Sequence, residues 1–171
     1  LIGTDAGLPA DYFSDLLFDR DGALWLGSPT GLFRFDGVTF ERFHGDGDTA
    51  VFGDVAALFV APDGDLWIGM RYGEIFRLHD GRLTRFDKGH GLPGRSVFAI
   101  ALDRDNKAWV ATAGGLLRLD GDHWTLIGTD AGLPADYFSD LLFDRDGALW
   151  LGSPTGLFRF DGVTFERFHG D

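Results

Sequence analysis

Apolar and polar residues alternate along the chain in short runs separated by glycine-containing turns, a pattern typical of β-strands. In the first unit it predicts four strands, at Phe13–Phe18, Ala23–Gly27, Leu32–Phe35 and Val38–Phe43. Asp-Gly pairs separate the first two strands and the last two, and Asp-Gly supplies the positive φ angles of tight hairpins. Because Phe13–Phe18 is mostly apolar, we expect it to be buried on both faces. The four strands predict one antiparallel sheet.

The same arrangement recurs four times. The tryptophan of the second strand recurs at spacings of 42, 42 and 41 residues, at Trp25, Trp67, Trp109 and Trp150. Four-stranded units of 40–45 residues are typical of propeller blades. The sequence therefore predicts an all-β fold of four β-propeller blades, at about residues 4–45, 46–87, 88–128 and 129–171. We expect the four tryptophans to form the structural core of the blades by packing between sheets.

The last blade is a copy of the first, because residues 126–171 repeat residues 1–46 without a single difference. Natural repeats diverge, since most surface positions tolerate substitution at little cost in stability. The identity therefore indicates either a very recent duplication or an engineered one, and we favour the engineered one.

Composition excludes several classes of function. The formal net charge of −12 argues against a nucleic-acid partner, whose phosphates require lysine and arginine. The absence of cysteine excludes disulfides, cysteine-based zinc sites and thiol nucleophiles. The 171 residues contain neither a signal peptide nor an apolar run of 18 residues, so we expect no membrane partner.

Three recurring motifs resemble the two-component regulator propeller repeat over the whole chain. Gly-Leu-Pro occurs at 7–9, 91–93 and 132–134, Asp-Gly-Ala-Leu-Trp-Leu-Gly at 21–27, and Gly-Leu-Phe-Arg-Phe-Asp-Gly at 31–37. The resemblance implies a β-propeller fold and a sensing role in the bacterial periplasm, often for carbohydrate, with no catalytic residues. The second unit departs from the pattern, since residues 45–53 stand where the other units have Gly-Leu-Pro.

Acidic clusters are the first candidates for metal chemistry. The run from Asp19 to Gly22 resembles a cation loop, but a calcium loop needs more oxygen ligands and a closing glutamate, so a turn is favoured. Asp46, Asp48 and Asp54 form the densest carboxylate cluster, and a solvated loop is favoured there over a weak calcium site. We predict no metal and no cofactor.

Catalytic motifs are missing. The five histidines are dispersed without zinc-ligand spacing. Ser14, Ser28 and Ser96 lack the context of a nucleophile elbow. Paired carboxylates are too common in an acidic chain to indicate a glycosidase. We therefore expect that the protein is not an enzyme.

One end of the blade stack carries the candidate ligand contacts. The Gly-Leu-Pro connections and the loops between the second and third strands fall on the same side, where propellers usually present ligands. The candidate residues are Arg71, Tyr72, His90 and Arg95. A carbohydrate is the ligand that the family resemblance implies.

Four blades of this length leave a closure problem. A half ring exposes two apolar faces and should associate. We expect a homodimer through the terminal blades that closes an eight-bladed ring; a closed four-bladed monomer and a window of a longer array stay open. The leading hypothesis is a non-enzymatic engineered or duplicated scaffold whose blades self-assemble. The alternative is an oligosaccharide-binding sensor fragment of a bacterial two-component system.

Overall fold

The computed structural model describes residues 7–8, 12–45, 52–127, 132–133 and 137–168, and in these residues the chain forms four antiparallel sheets of four strands each. Every sheet has its strands in chain order, so the all-β blade architecture predicted from the repeat is confirmed. The strands are β1 (Asp15–Phe18), β2 (Leu24–Ser28), β3 (Gly31–Phe35) and β4 (Phe40–Arg42) in the first blade, β5 (Val55–Val60), β6 (Leu66–Met70), β7 (Ile75–His79) and β8 (Arg82–Phe86) in the second, β9 (Val97–Leu102), β10 (Ala108–Thr112), β11 (Gly115–Asp120) and β12 (His123–Ile127) in the third, and β13 (Asp140–Phe143), β14 (Leu149–Ser153), β15 (Gly156–Phe160) and β16 (Phe165–Phe168) in the fourth.

The strand ends of the first blade lie within two residues of the sequence prediction. β4 begins at Phe40 rather than at Val38. The Asp36 carboxylate explains it, because its Oδ1 accepts hydrogen bonds from the amides of Val38 and Thr39, both at 2.8 Å. This aspartate-closed turn uses the amides that a longer strand would need.

The blades stack in chain order around a common axis. The first strand of each blade contacts that of the next, from β1 to β5, β9 and β13. These four strands border an axial cavity of about 420 Å³. The main apolar cores lie between consecutive sheets, as stacking of two-faced sheets requires.

The two faces of a blade carry different side chains. In the first blade the face that we call the Trp face carries Leu17, Trp25, Gly27, Leu32 and Phe43. The opposite face, which we call the Phe face, carries Leu16, Phe18, Leu24, Leu26, Phe33, Phe35 and Phe40. At each junction the Trp face of one blade covers the Phe face, or its equivalent, of the next.

The expectation that the first strand is buried on both faces is wrong for the first blade. Leu16 and Phe18 are 59% and 66% exposed. The copy of Leu16 in the fourth blade, Leu141, is buried, because the third blade packs on that face. No sheet among the described residues covers the Phe face of the first blade.

Each blade tryptophan lies beside an arginine on the third strand. The register pairs Trp25 with Arg34, and the guanidinium carbon is 5.8 Å from the indole centroid. The corresponding pairs in the other three blades have distances of 5.4–5.9 Å. This is within the range of cation–π attraction and leaves the arginine head toward solvent.

An aspartate six residues before the tryptophan holds the indole N–H. Asp19 accepts a hydrogen bond from Trp25 Nε1 at 2.8 Å through Oδ2, while its Oδ1 accepts from the amides of Asp21 and Ala23. The third and fourth blades repeat this contact. The second blade has Ala61 at this position, and the buried Trp67 Nε1 has no hydrogen-bond partner in the part of the chain that the structure describes. The run from Asp19 to Gly22 is thus a turn that anchors the core tryptophan.

Replacing the aspartate that accepts the hydrogen bond of the indole N–H should measure how much this contact stabilises the fold. We expect Asp103→Ala to lower the free energy of unfolding by about 1–3 kcal/mol, because the buried indole N–H of Trp109 loses its acceptor. Asp105→Ala is the matched control, since this residue contributes its amide to the same turn. Urea denaturation of both variants measures the difference; equal losses would contradict the proposed anchor.

Candidate functional site

The Trp face is covered in the first blade and open in the fourth, although the two blades have the same sequence. Leu32 is fully buried against the second blade, whereas its copy Leu157 is 43% exposed. Trp25 is buried, and Trp150 is half-buried. The local fold of the two blades is the same, so the difference arises from the neighbouring sheet and not from the residues.

Close approach at this face depends on a glycine. A Cβ atom added to Gly27 would lie 2.6 Å from Val55 Cγ1 of the second blade. At the copy, Gly152, the nearest atoms lie at 3.8 Å or more and belong to the same blade. The fourth blade therefore presents the same surface, and no sheet of the described residues packs against it.

The Phe face shows the reverse pattern. In the fourth blade Phe138, Leu149 and Leu151 are buried in the core shared with Trp109 of the third blade. In the first blade the equivalent face holds a smaller cluster of its own, in which Phe35 stacks on Phe40 at 4.3 Å. In the described ranges, the two open sheet faces are therefore the Phe face of the first blade and the Trp face of the fourth.

The predicted ligand contacts lie partly together. Arg71 Nε is 2.7 Å from Asp54 Oδ2, and this carboxylate raises the pKa of the Arg71 guanidinium. Tyr72 is 75% exposed. Its neighbour Gly73 approaches Arg95 so closely that a Cβ atom would lie 2.3 Å from the Arg95 amide nitrogen. Arg71, Tyr72 and Arg95 thus border one loop region between the second and third blades.

His90 has a local structural contact instead. It ends the short 3₁₀ helix Lys88–His90, where its Nδ1 lies 3.0 Å from Asp87 Oδ1. Its ring also packs edge-on against Phe86, with centroids 5.7 Å apart. The histidine and the amide of Gly89 lower the pKa of Asp87 by hydrogen bonding to its carboxylate. These contacts place His90 at the end of this helix, beside Phe86.

A cleft of about 580 Å³ opens beside Tyr72. The Arg85–Glu74 ion pair lines one part of it, and Lys88 lines another. Asp87 and the glycines Gly73, Gly89 and Gly94 complete the wall. The cleft thus combines an aromatic ring, both signs of charge and main-chain groups, which suits a neutral polar molecule better than an apolar one.

The predicted carboxylate cluster is only partly described. Asp46 and Asp48 lie outside the described residues. Asp54 forms an ion pair with Arg71. Within the described ranges, no group of three or more histidine, cysteine or acidic side chains is arranged to hold a metal ion. In those same ranges, no helix is long and apolar enough to cross a membrane.

A second charged cluster was missed from sequence. Asp65 directly precedes β6 and is 3% exposed. It accepts hydrogen bonds from Arg77 Nε at 2.5 Å and from His79 Nδ1 at 2.6 Å. The hydrogen bond to Asp65 raises the pKa of His79 above its ordinary value of 6.5. The other blades have Ala23, Lys107 and Ala148 at this position, so only a comparison of blades could have drawn attention to it.

The geometry above defines a class: the chain is a β-propeller repeat protein with stacked four-stranded blades. Residues 7–30, 91–114 and 132–155 match the family model described as two component regulator propeller. These three segments are similar to this family, as the sequence motifs predicted. Each matched segment begins at a Gly-Leu-Pro connection, and none falls in the second blade, which lacks it.

Solved structures with the same fold include sensors and enzymes. The extracellular domain of a hybrid two component system from B. thetaiotaomicron matches 99% of this chain and 26% of its own, with 18% identity and a TM-score of 0.82. Virginiamycin B lyase from Staphylococcus aureus matches 94% of this chain and 56% of its own, with 19% identity and a TM-score of 0.70. The chain thus spans about a quarter and about half of these proteins. No curated protein matches the sequence.

The His79–Asp65 pair predicts a pH dependence of stability. A raised pKa in the folded state means that the contribution of His79 is present below pH 6.5 and is lost as the pH rises through the raised pKa. We expect the free energy of unfolding to fall between about pH 6 and about pH 9 and the fall to be smaller in His79→Gln. Asp65→Asn should act in the same direction. Denaturation curves at both pH values test this, and an unchanged pH dependence in both variants would refute it.

Proposed function

We propose that the chain is a non-enzymatic propeller unit whose two open terminal faces close on a second copy, giving a ring of eight blades. The observation that carries the proposal is the internal comparison between the first and fourth blades. They have one sequence, yet the face that is covered in one is open in the other. Each open face is therefore a surface that the same residues already bury elsewhere in the chain.

The new junction would join the Trp face of the fourth blade to the Phe face of a first blade. That Phe face already packs in the fourth blade against the Trp face of the third. Relative to the third blade, the Trp face of the fourth has Leu142 for Ala101, Phe168 for Ile127, Gly152 for Ala111, Asp140 for Ala99 and Glu166 for Thr125, and it keeps the tryptophan and Leu157. The first two changes add apolar volume, the third removes a methyl group, and the last two add carboxylates. The first blade has the same residues on its Trp face and packs against the second blade with them, so this surface can form a junction.

Two-fold symmetry makes the association favourable. The exposed Leu16, Phe18, Leu142, Leu157 and Phe168 lie on the open faces. Burial of a leucine or phenylalanine side chain contributes about 1.5–3 kcal/mol when it is complete. A two-fold pair forms two such junctions in one association step, against a single loss of rotational and translational freedom.

We also propose an origin for the fourth blade and for the blade sequences. An exact copy of 46 residues supports an engineered or very recent addition of the fourth blade. The blade sequences themselves would derive from a sensor outside the cytoplasm, which the likeness to an extracellular sensor domain supports.

Matched substitutions at the two copies of one leucine test the assembly. Leu157→Asp should leave the chain folded and abolish the dimer, because the charge falls on an open face. Leu32→Asp should instead unfold or strongly destabilise the chain, because the same residue is fully buried between the first and second blades. Sedimentation velocity and urea denaturation distinguish the two effects.

The proposal predicts twice the mass of one chain for the unsubstituted protein and for a Tyr72→Ala control. If both proteins have the mass of a single chain at high micromolar concentration, the proposal is refuted.

A second candidate function is recognition of an oligosaccharide at the loop face. The observation that favours it is the cleft beside the exposed Tyr72, since aromatic rings with nearby polar groups suit sugar rings. We expect saturable binding in a glycan panel that is lost when Arg71 and Tyr72 are both replaced by alanine. Tyr137→Ala, an exposed tyrosine of the fourth blade, is the control. Binding that survives the double substitution would reject this site.

A further inference from the structure

Two polar side chains of the first blade bind the main chain of the second. Ser14 Oγ donates a hydrogen bond to the carbonyl oxygen of Val55 at 2.5 Å. Asp15 Oδ2 accepts one from the amide of Leu58 at 2.8 Å. Both partner groups belong to the first strand of the second blade, so these contacts attach one blade to the next beside the axial cavity.

No other sheet among the described residues packs against the copies of these residues in the fourth blade. Ser139 Oγ lies 3.4 Å from the carbonyl oxygen of Gly152, in its own blade. Asp140 Oδ1 accepts a hydrogen bond from the amide of the next residue, Leu141. Among the described residues, the hydrogen bonds of Ser139 and Asp140 thus stay within the fourth sheet, and both side chains are exposed.

The other two junctions do not use this pair. The second blade has Ala56 and Ala57 at the equivalent positions, and the third has Phe98 and Ala99. None of these side chains can form a hydrogen bond. At these two positions, serine and aspartate therefore occur only in the first and fourth blades.

We propose that Ser139 and Asp140 form a polar latch that binds the first strand of the first blade in a second copy of this chain. The inference rests on the proposed ring closure and names the residues that fasten it. At the 42-residue spacing, Val55 and Leu58 correspond to Phe13 and Leu16. The latch partners are therefore the carbonyl oxygen of Phe13 and the amide of Leu16 in the second copy.

The latch can form at a different junction because its partners are main-chain groups. The junction between a fourth and a first blade does not occur within one chain, so its side-chain packing is new. A hydrogen bond to a carbonyl or an amide needs no particular side chain on the partner. In one chain the exposed Leu16 amide donates its hydrogen bond to the carboxylate of the neighbouring Asp15. In the dimer this local hydrogen bond would be exchanged for one to Asp140 of the other copy.

The duplicated sequence offers a matched test. Asp140→Ala should raise the dissociation constant of the dimer about tenfold or more, because two buried charge-assisted hydrogen bonds are lost per ring. The urea midpoint of the isolated chain should stay unchanged. Asp15→Ala should do the opposite, lowering that midpoint because the contact with Leu58 lies within the chain. Asp140→Asn, which keeps an acceptor oxygen, should recover much of the affinity.

Sedimentation equilibrium over a concentration series gives the dissociation constants. A dimer whose dissociation constant is unchanged or lower in Asp140→Ala would refute the latch and leave ring closure standing. A chain that stays monomeric without any substitution would refute ring closure and, with it, the latch.

Discussion

A blade of this protein has two apolar faces, and both must be covered for the sheet to be stable in water. Each of the three junctions meets this requirement in the same way, with the Trp face of one blade on one side and the Phe face, or its aliphatic equivalent, on the other. A blade in the interior of a stack has both faces covered by its neighbours, whereas each end blade has one face uncovered. The loops, the axial cavity and the candidate sites all take their positions from this stacking.

The tryptophan is the residue on which each junction depends. Its ring fills the space between sheets, its indole N–H is anchored to an aspartate of the preceding turn in three blades, and an arginine covers its outer side. The second blade, with Ala61 in place of the aspartate, lacks the anchor and instead carries the Asp65 cluster with Arg77 and His79. This blade is also the one that departs from the family pattern, so its differences extend beyond its connection.

Much of the fold follows from the spacing of Trp25 and its equivalents, since a 42-residue period and Asp-Gly turns allow few arrangements. Exposure could not be predicted in the same way. Leu16 and Leu141 have identical local sequences, so only the presence of a neighbouring sheet decides which one is buried. The role of Asp19 was readable in principle, from its recurrence six residues before three of the tryptophans. The cleft beside Tyr72 depends on the close approach of Gly73 to Arg95, which no local pattern encodes.

The most direct measurement of the central claim uses the fact that the chain has no cysteine. A single thiol in Leu157→Cys reports on the open Trp face of the fourth blade, and Leu32→Cys provides the reference for a covered face. The reaction rate of Leu157→Cys with a thiol reagent should fall toward that of Leu32→Cys as the protein concentration rises from nanomolar to high micromolar. A rate for Leu157→Cys that stays high and independent of concentration would show that the two open faces do not cover each other.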